Sequence, residues 1–184
     1  MKQYNGAKAE KSASEKLPTG GYVVQIMGAE VESLDWGEKL RLDFEIYEGK
    51  YAGFFAAQYR ASTFDDKKWK GCFRLIVPSE GSQYFESEKR RFNNFIYAIE
   101  ASNPNYHWDW NEKGLKGKFL GVVYGDKEWE YNGKTGWATV CAALYSAEDI
   151  RSGNYKVPEP KALQKAAEKA SEPFQTVSDD DLPF

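Results

Sequence analysis

The stretch Leu40-Arg41-Leu42-Asp43-Phe44-Glu45-Ile46-Tyr47 alternates apolar and polar side chains over its whole length. A period of two predicts a β-strand with one buried face and one exposed face. Residues 22–32, which come before it, are rich in β-branched and aromatic residues and include Gly28, which suits a β-bulge. With the turn residues 33–38 between them, the two stretches predict a long β-hairpin.

The sequence after this hairpin predicts a third strand and then one helix. Residues 54–61 are predicted as the third strand, and residues 72–77 form a short apolar run. A helix is predicted over residues 88–102, because apolar residues recur there at intervals of three and four and Ser87 can cap the first turn. Asn103-Pro104 then ends the helix.

A second hairpin is predicted near the end of the folded region. Residues 118–124 form a strand, Asn132-Gly133 provides a tight turn, and residues 136–145 form the last strand. A capped helical turn follows at residues 146–149.

This order of elements decides the predicted fold class and the domain organisation. Three strands, a helix, a strand, a protruding hairpin and a closing strand are the layout of an OB-fold. We therefore expect a mainly β protein with one helix, built as an OB-fold-like five-stranded barrel with extended hairpins. Residues 1–19 are predicted to be a flexible arm, residues 20–155 the OB-fold-like domain, and residues 156–184 a flexible linker that ends in an acidic tip.

Composition argues against several other classes of protein. The chain has no apolar run of membrane-spanning length, and residues 1–16 lack the apolar segment of a signal peptide, so a cytoplasmic protein is expected. Cys72 and Cys141 belong to no C-x-x-C pair, and His107 has no partner at metal-ligand spacing, so neither a metal nor a cofactor is expected. No Gly-x-Ser-x-Gly or Walker motif occurs, and we expect no enzyme, although a nuclease or glycosidase stays open.

The 29 aromatic side chains, of which 6 are Trp, suggest a binding function. Rings that lie beside Lys or Arg suit single-stranded nucleic acid, because bases stack on the rings and the cations follow the phosphates. In an OB-fold the second and third strands and the first and last hairpin loops carry such sites. Each ring could instead belong to the core. The candidate DNA-binding residues on this map are Trp36, Arg41, Tyr59, Arg60, Lys67, Trp69, Lys70, Trp129, Tyr131 and Lys134.

The last six residues are unsuited to a core, because three aspartates precede an apolar end that carries its own carboxylate. Such an end suits capture by another protein, with the final ring in an apolar pocket and the acidic groups on a basic rim. The residues of this predicted partner-binding tip are Asp179, Asp180, Asp181, Leu182, Pro183 and Phe184.

The tip resembles the acidic tip of bacterial and phage single-stranded DNA-binding proteins, in which Ile usually stands where this chain has Leu182. The body is similar only to divergent phage members, through Leu17-Pro18-Thr19-Gly20 before the first strand. The resemblance implies a protein that binds and protects single-stranded DNA and recruits replication, recombination or repair proteins through its tip. It also implies a bacterial or phage-infected cell, and oligomers are common in the family.

The charge balance keeps a second hypothesis open. Of the 25 basic and 28 acidic side chains, three basic and six acidic ones lie from Val157 onward, so residues 1–156 carry no net charge. A neutral body lacks the strong electrostatic signal of a nucleic-acid-binding protein. The chain could therefore be a recombination mediator or adaptor that docks through its tip without coating DNA, and an oligosaccharide-binding OB-fold is a further alternative.

Overall fold

The computed structural model of the chain describes residues 16–163. Its centre is one sheet of five antiparallel strands in the order β3-β2-β1-β4-β5. The strands are β1 (Gly20–Leu34), β2 (Gly37–Ile46), β3 (Cys72–Ile76), β4 (Phe119–Tyr131) and β5 (Lys134–Tyr145). The helices are α1 (Phe54–Ala61), α2 (Phe85–Ser102) and α3 (Ala147–Ser152), with a 3₁₀ turn at Glu112–Leu115. The mainly β prediction is confirmed, but the described residues contain three α-helices where one was predicted.

The first hairpin has the two-sided pattern that the sequence predicts. The side chains of Leu40, Leu42, Phe44 and Ile46 are at most 2% exposed and form the centre of the core. The intervening polar residues of β2 point to the opposite face. In β1 the pairing register shifts between Ile26 and Gly28, which confirms the predicted bulge.

Helix α2 covers the core face of the sheet with Phe92, Phe95, Ala98 and Ile99, as its periodicity predicts. It begins three residues earlier than predicted, so Ser87 lies inside its first turn and does not cap it.

Ser82 stabilises this helix start instead. Its hydroxyl accepts a hydrogen bond from the Tyr84 N–H at 3.1 Å and donates one to Glu88 at 2.8 Å. The prediction missed this because Ser82 lies outside the apolar repeat.

The predicted third strand over residues 54–61 is wrong, because this segment is helix α1. The Glu45 carboxylate on β2 accepts hydrogen bonds from the backbone N–H groups of Phe55 at 3.0 Å and Ala56 at 2.6 Å. It therefore caps a helix that has no side-chain cap of its own. The apolar run at Cys72–Ile76 provides the third strand and pairs with β2.

The sheet is open in the part of the chain that the structure describes. Strand β2 pairs with β3, and β4 pairs with β5, but no pairing between β3 and β5 is found among residues 16–163. A closed barrel is therefore not shown.

The last hairpin and helix form as predicted. Asn132 and Gly133 have φ values of 50° and 72°, as a type I′ turn requires. The Ser146 hydroxyl caps α3 by accepting a hydrogen bond from the Asp149 N–H at 3.0 Å, and Gly153 ends the helix with φ 75°. Among the described residues no helix is both long and apolar enough to cross a membrane.

The first residues of the predicted linker lie against the sheet. The Lys161 N–H donates to the Asp126 carbonyl at 2.9 Å, and the Glu128 N–H donates to the Lys161 carbonyl at 2.9 Å. This places residues 161 and 127 in a parallel β-bridge along the free edge of β4. The acidic tip at residues 179–184 lies outside the described residues.

Candidate nucleic-acid interface

The β4–β5 hairpin extends past the beginning of β1, since β1 pairs with β4 only as far as Tyr124. Side chains directly opposite each other in an antiparallel pair lie on the same face, and alternate residues change face. The pairs Tyr131 with Lys134, Trp129 with Gly136, and Lys127 with Ala138 therefore share one face, which we call the cationic face.

Rings and cations are neighbours on the cationic face. Trp129 is 42% exposed and Tyr131 is 72% exposed. Residues two apart on a strand are about 6.6 Å apart, so Lys127, Trp129 and Tyr131 form a row, with Lys134 directly across from its last member. This arrangement offers two rings for base stacking between two positive charges.

The opposite face of the same hairpin is acidic. It carries Asp126, Glu128 and Glu130, together with Trp137, which is 47% exposed. The Lys16 ammonium lies 2.9 Å from the Asp126 carboxylate, and its hydrogen bond is the main cause that lowers the pKa of Asp126. The two faces thus present similar exposed rings in opposite electrostatic surroundings.

Trp36 lies in the β1–β2 turn, where it is 59% exposed. The Lys39 ammonium lies 4.8 Å from the ring centroid, and a shallow cleft beside the ring is lined also by Tyr84 and Glu88. Because β1 and β4 are antiparallel, this turn and the β4–β5 hairpin extend from opposite ends of β1. The two loops that the sequence predicts as one site are therefore separated along β1.

Arg41 lies on the exposed face of β2 but is surrounded by carboxylates. Its guanidinium is 3.0 Å from Asp43, 3.3 Å from Glu30 and 3.7 Å from Glu32. The hydrogen bond from Arg74 at 2.9 Å lowers the pKa of Glu32 and extends this network to β3. The positive charge of Arg41 is thus largely compensated within the sheet.

The candidates near α1 do not form the predicted strand face, because Tyr59 and Arg60 lie on a helix. Tyr59 is 40% exposed, and the Lys67 ammonium lies 5.9 Å from its ring centroid. Arg60 donates from Nε to the Ala56 carbonyl at 3.3 Å. Lys70 is exposed in the loop before β3.

Trp69 is half-buried and packs against the core. Its indole N–H donates to the carbonyls of Phe44 at 3.1 Å and Gly71 at 3.0 Å, and its ring centroid lies 6.4 Å from that of Phe55. These contacts give Trp69 a packing role, which its Lys-rich neighbours in the sequence did not indicate.

The sequence analysis did not select Lys127, although it completes the cationic face. Its spacing of two from Trp129 and four from Tyr131 places all three on one face of a strand. The pairing of Trp137 with Glu128 places Trp137 on the acidic face.

Among residues 16–163 no group of three His, Cys, Asp or Glu side chains is placed to hold a metal ion. His107 is exposed, with Nδ1 3.8 Å from Glu100. Burial raises the pKa of the Cys141 thiol, so this cysteine resists ionisation.

The sequence matches no protein-family model and no curated protein.

Proposed function

We propose that this protein binds single-stranded DNA without strong sequence preference, and that the cationic face of the β4–β5 hairpin is the main contact. The observation that supports this most directly is the row of Lys127, Trp129 and Tyr131 with Lys134 opposite. Base stacking contributes about 1–3 kcal/mol per base and tolerates any base, since every base has a flat face. The two rings can stack on bases, and the two lysines beside them can bind phosphates.

The strand order gives a second line of support. The order β3-β2-β1-β4-β5, with α2 between β3 and β4, is that expected of an OB-fold opened between β3 and β5. Many OB-folds bind oligonucleotides and use the loop between their fourth and fifth strands. In this chain that loop is the tip of the hairpin, at Asn132-Gly133.

A test compares the two faces of one hairpin by fluorescence anisotropy with labelled oligothymidine. Trp129→Ala and Tyr131→Ala should each weaken binding by about 1–3 kcal/mol. Trp137→Ala, which removes a ring of similar exposure from the acidic face, should leave affinity unchanged. All three variants should keep the melting temperature close to that of the wild type.

Duplex DNA of the same sequence should bind more weakly at matched salt. The proposal is contradicted if duplex DNA binds equally well or more tightly. It is also contradicted if Trp137→Ala lowers the affinity for oligothymidine as much as Trp129→Ala and Tyr131→Ala do. A large fall in melting temperature for Trp129→Ala would instead identify that ring as part of the packing.

The adaptor hypothesis is a second candidate, and the ion pairing of the body favours it. Arg41, Arg74 and Arg151 all lie against carboxylates, at 3.0, 2.9 and 2.7 Å. Three of the six arginine charges are therefore compensated within the fold. Deletion of residues 179–184 should abolish capture of replication or repair proteins under either hypothesis, and it should keep or slightly raise DNA affinity only if the body binds DNA. If the protein that lacks residues 179–184 still captures these partners at full strength, the partner-binding role of the tip is wrong under both hypotheses.

A further inference from the structure

The hydrogen bonds of Lys161 show which way the backbone of the projecting hairpin points. Lys161 bonds to the carbonyl of Asp126 and to the N–H of Glu128, so both residues of β4 direct their backbone groups away from β5. Backbone direction alternates along a strand, and residues that face each other in an antiparallel pair share it. The partners of Asp126 and Glu128 on β5 are Thr139 and Trp137. The N–H and C=O groups of Thr139 and Trp137 therefore point outward, away from β4.

This outer edge of β5 has no partner in the part of the chain that the structure describes. Thr135, two residues before Trp137, shares its direction, and only β4 makes backbone hydrogen bonds to residues 134–140. An unpaired edge is a template for another strand, and proteins commonly protect such edges with charges or by keeping them short. The edge strand β3 is only five residues long and carries Arg74. Residues 135–145, by contrast, contain no charged side chain.

The residues of this edge are complementary to a second copy of themselves. If two copies of β5 pair antiparallel about Trp137, each Trp137 faces its own copy and Thr135 faces Thr139. Aromatic pairs and Thr–Thr pairs are both favourable directly across an antiparallel pair. Lys134 then lies opposite Val140, so no like charges meet.

The exposure of Trp137 agrees with such a partner. Its side chain is 47% exposed on the acidic face, beside Glu128 and Glu130. These carboxylates repel phosphates, so the ring is poorly placed for nucleic acid. A second copy of the ring across the axis would cover it.

The remaining segments of the chain suit this edge less well than a second copy of β5 does. Residues 1–15 contain no β-branched side chain, and residues 164–184 contain only Thr176 and Val177. β-Branched and aromatic residues are those that favour a strand. In β5 the outward positions are two Thr and one Trp.

We propose that the outer edge of β5 at residues 135–139 is a self-association site, at which two copies of the chain join their sheets by antiparallel pairing. Thr135, Trp137 and Thr139 of each copy exchange about six backbone hydrogen bonds with the other copy. This contact is smaller than a standard protein interface, so the dimer forms at roughly 10–100 μM protein. Self-association does not depend on DNA binding, because Trp137 lies on the face opposite the cationic face.

Sedimentation velocity of the full chain, from about 1 to 200 μM, measures the association. Thr139→Pro removes an outward N–H and leaves the β4–β5 ladder intact, since Pro is tolerated where the N–H faces away from the sheet. It should weaken self-association at least about tenfold. Thr139→Val is the matched control. It also loses the hydroxyl bond to Asp126 but keeps the N–H, so it should associate like the wild type.

A further variant leaves the backbone unchanged. Trp137→Lys places two like charges opposite each other at the axis and should also weaken self-association. Thermal unfolding at low protein concentration shows whether each variant is folded. If Thr139→Pro does not fold, Trp137→Lys decides, and association as strong as that of the wild type overturns the proposal.

A cysteine cross-link locates the contact. In the proposed pairing, residue 137 lies about 5.5 Å from its own copy, Cα to Cα, which a disulfide can span. Residue 135 lies two positions from the axis, about 13 Å or more from its copy, which a disulfide cannot span. Oxidised glutathione should therefore link Trp137→Cys into a covalent dimer and leave Thr135→Cys and the wild type unlinked.

Several outcomes overturn the proposal. The wild type stays monomeric across the whole concentration range, Thr139→Pro associates as strongly as Thr139→Val, or both cysteine variants cross-link equally. Association that appears only after removal of residues 1–15 or 164–184 also overturns it, because the edge is then covered by the same chain. Concentration-dependent association that Thr139→Pro loses and Thr139→Val keeps supports it.

Discussion

The indole of Trp129 lies against Gly136 on the neighbouring strand, so that a Cβ atom at position 136 would come within 2.7 Å of the ring. These two residues face each other in the β4–β5 pairing. An aromatic ring over a glycine covers exposed backbone and fixes the orientation of the ring.

The first prediction follows from this contact. Gly136→Ala should displace the Trp129 ring and weaken binding to oligothymidine, though by less than Trp129→Ala, since the ring remains and only its orientation changes. Anisotropy titration measures the effect. Ala138→Gly, on the same strand and the same face, is the control and should bind like the wild type. An unchanged affinity in Gly136→Ala would show that the orientation of the ring does not matter.

The second prediction concerns the salt dependence of binding. If Lys127 and Lys134 each bind one phosphate, the double change to Ala should lower the slope of log K against log salt by about 1.4. Titrations at four or more salt concentrations give the slope. The control, Lys50→Ala with Lys116→Ala, removes two exposed lysines elsewhere and should leave the slope unchanged. Equal slopes in all three proteins would exclude phosphate contacts at the hairpin.

The parts of the fold that the sequence predicted are those with a local cause. The alternation over Leu40–Tyr47 marks β2, and Asn132-Gly133 marks the last turn, because each pattern lies within a few residues. Helix α1 was missed because its start depends on Glu45, ten or more positions away, which caps it from β2.

The candidate site shows the same division. The cationic face could be predicted from the spacing of Trp129 and Tyr131. The compensation of Arg41 comes partly from Asp43 on the same strand and partly from Glu30, which only the pairing of β2 with β1 brings close. The indole of Trp69 likewise reaches Phe44 only through the fold, across 25 residues of sequence.

The third prediction concerns Asn103, which is 8% exposed and joins α2 to β4. Its side chain accepts from the Phe119 N–H at 2.9 Å and donates to the Phe119 carbonyl at 2.8 Å and the Ile99 carbonyl at 2.7 Å. Asn103→Ala leaves these groups without a partner. Each one that water cannot reach lowers the free energy of unfolding by about 1–3 kcal/mol. Urea unfolding should show a loss of at least about 2 kcal/mol.

Asn103→Asp is the second variant for this prediction. It keeps the acceptor for the Phe119 N–H but sets a carboxylate oxygen against the carbonyls of Phe119 and Ile99, so near pH 7 it should be at least as destabilised as the Ala variant. A loss below about 0.5 kcal/mol in the Ala variant would mean that water replaces the side chain without cost.

The fourth prediction is a dependence of stability on pH. Hydrogen bonds from Ser146 at 2.6 Å and Asn154 at 3.0 Å lower the pKa of Asp149 below its usual 3.8. A carboxylate whose pKa is lower in the folded state stabilises the fold above its unfolded pKa, and this stabilisation disappears as the pH falls through the folded pKa. The advantage of the wild type over Asp149→Asn should therefore be full near pH 6 and decline below about pH 4.

Thermal unfolding of both proteins from pH 3 to pH 7 measures this difference. Asp65→Asn changes an exposed carboxylate in the loop after α1 and should melt like the wild type across the range. A difference between wild type and Asp149→Asn that stays constant with pH would contradict the role given to the ionised carboxylate.

The last prediction separates the folded part of the C-terminal segment from the part predicted to be a flexible linker and tip. Pro158 lies against Gly125, where a Cβ would come within 2.7 Å of its ring, and Lys161 makes two backbone hydrogen bonds to β4. Removal of residues 164–184 should leave the melting temperature unchanged. Removal of residues 157–184 should destabilise the protein by about 2 kcal/mol, because the edge of β4 loses its partner.

A point change tests the same contact without truncation. Lys161→Pro removes the N–H that donates to the Asp126 carbonyl and should lower the melting temperature, whereas Lys161→Ala keeps the backbone and should not. Both are measured by thermal unfolding in the full chain. Equal melting temperatures for the two truncated proteins, together with no difference between the Pro and Ala variants, would show that the pairing of residue 161 with β4 contributes nothing to the fold. The linker would then begin, as the sequence suggested, near Lys156.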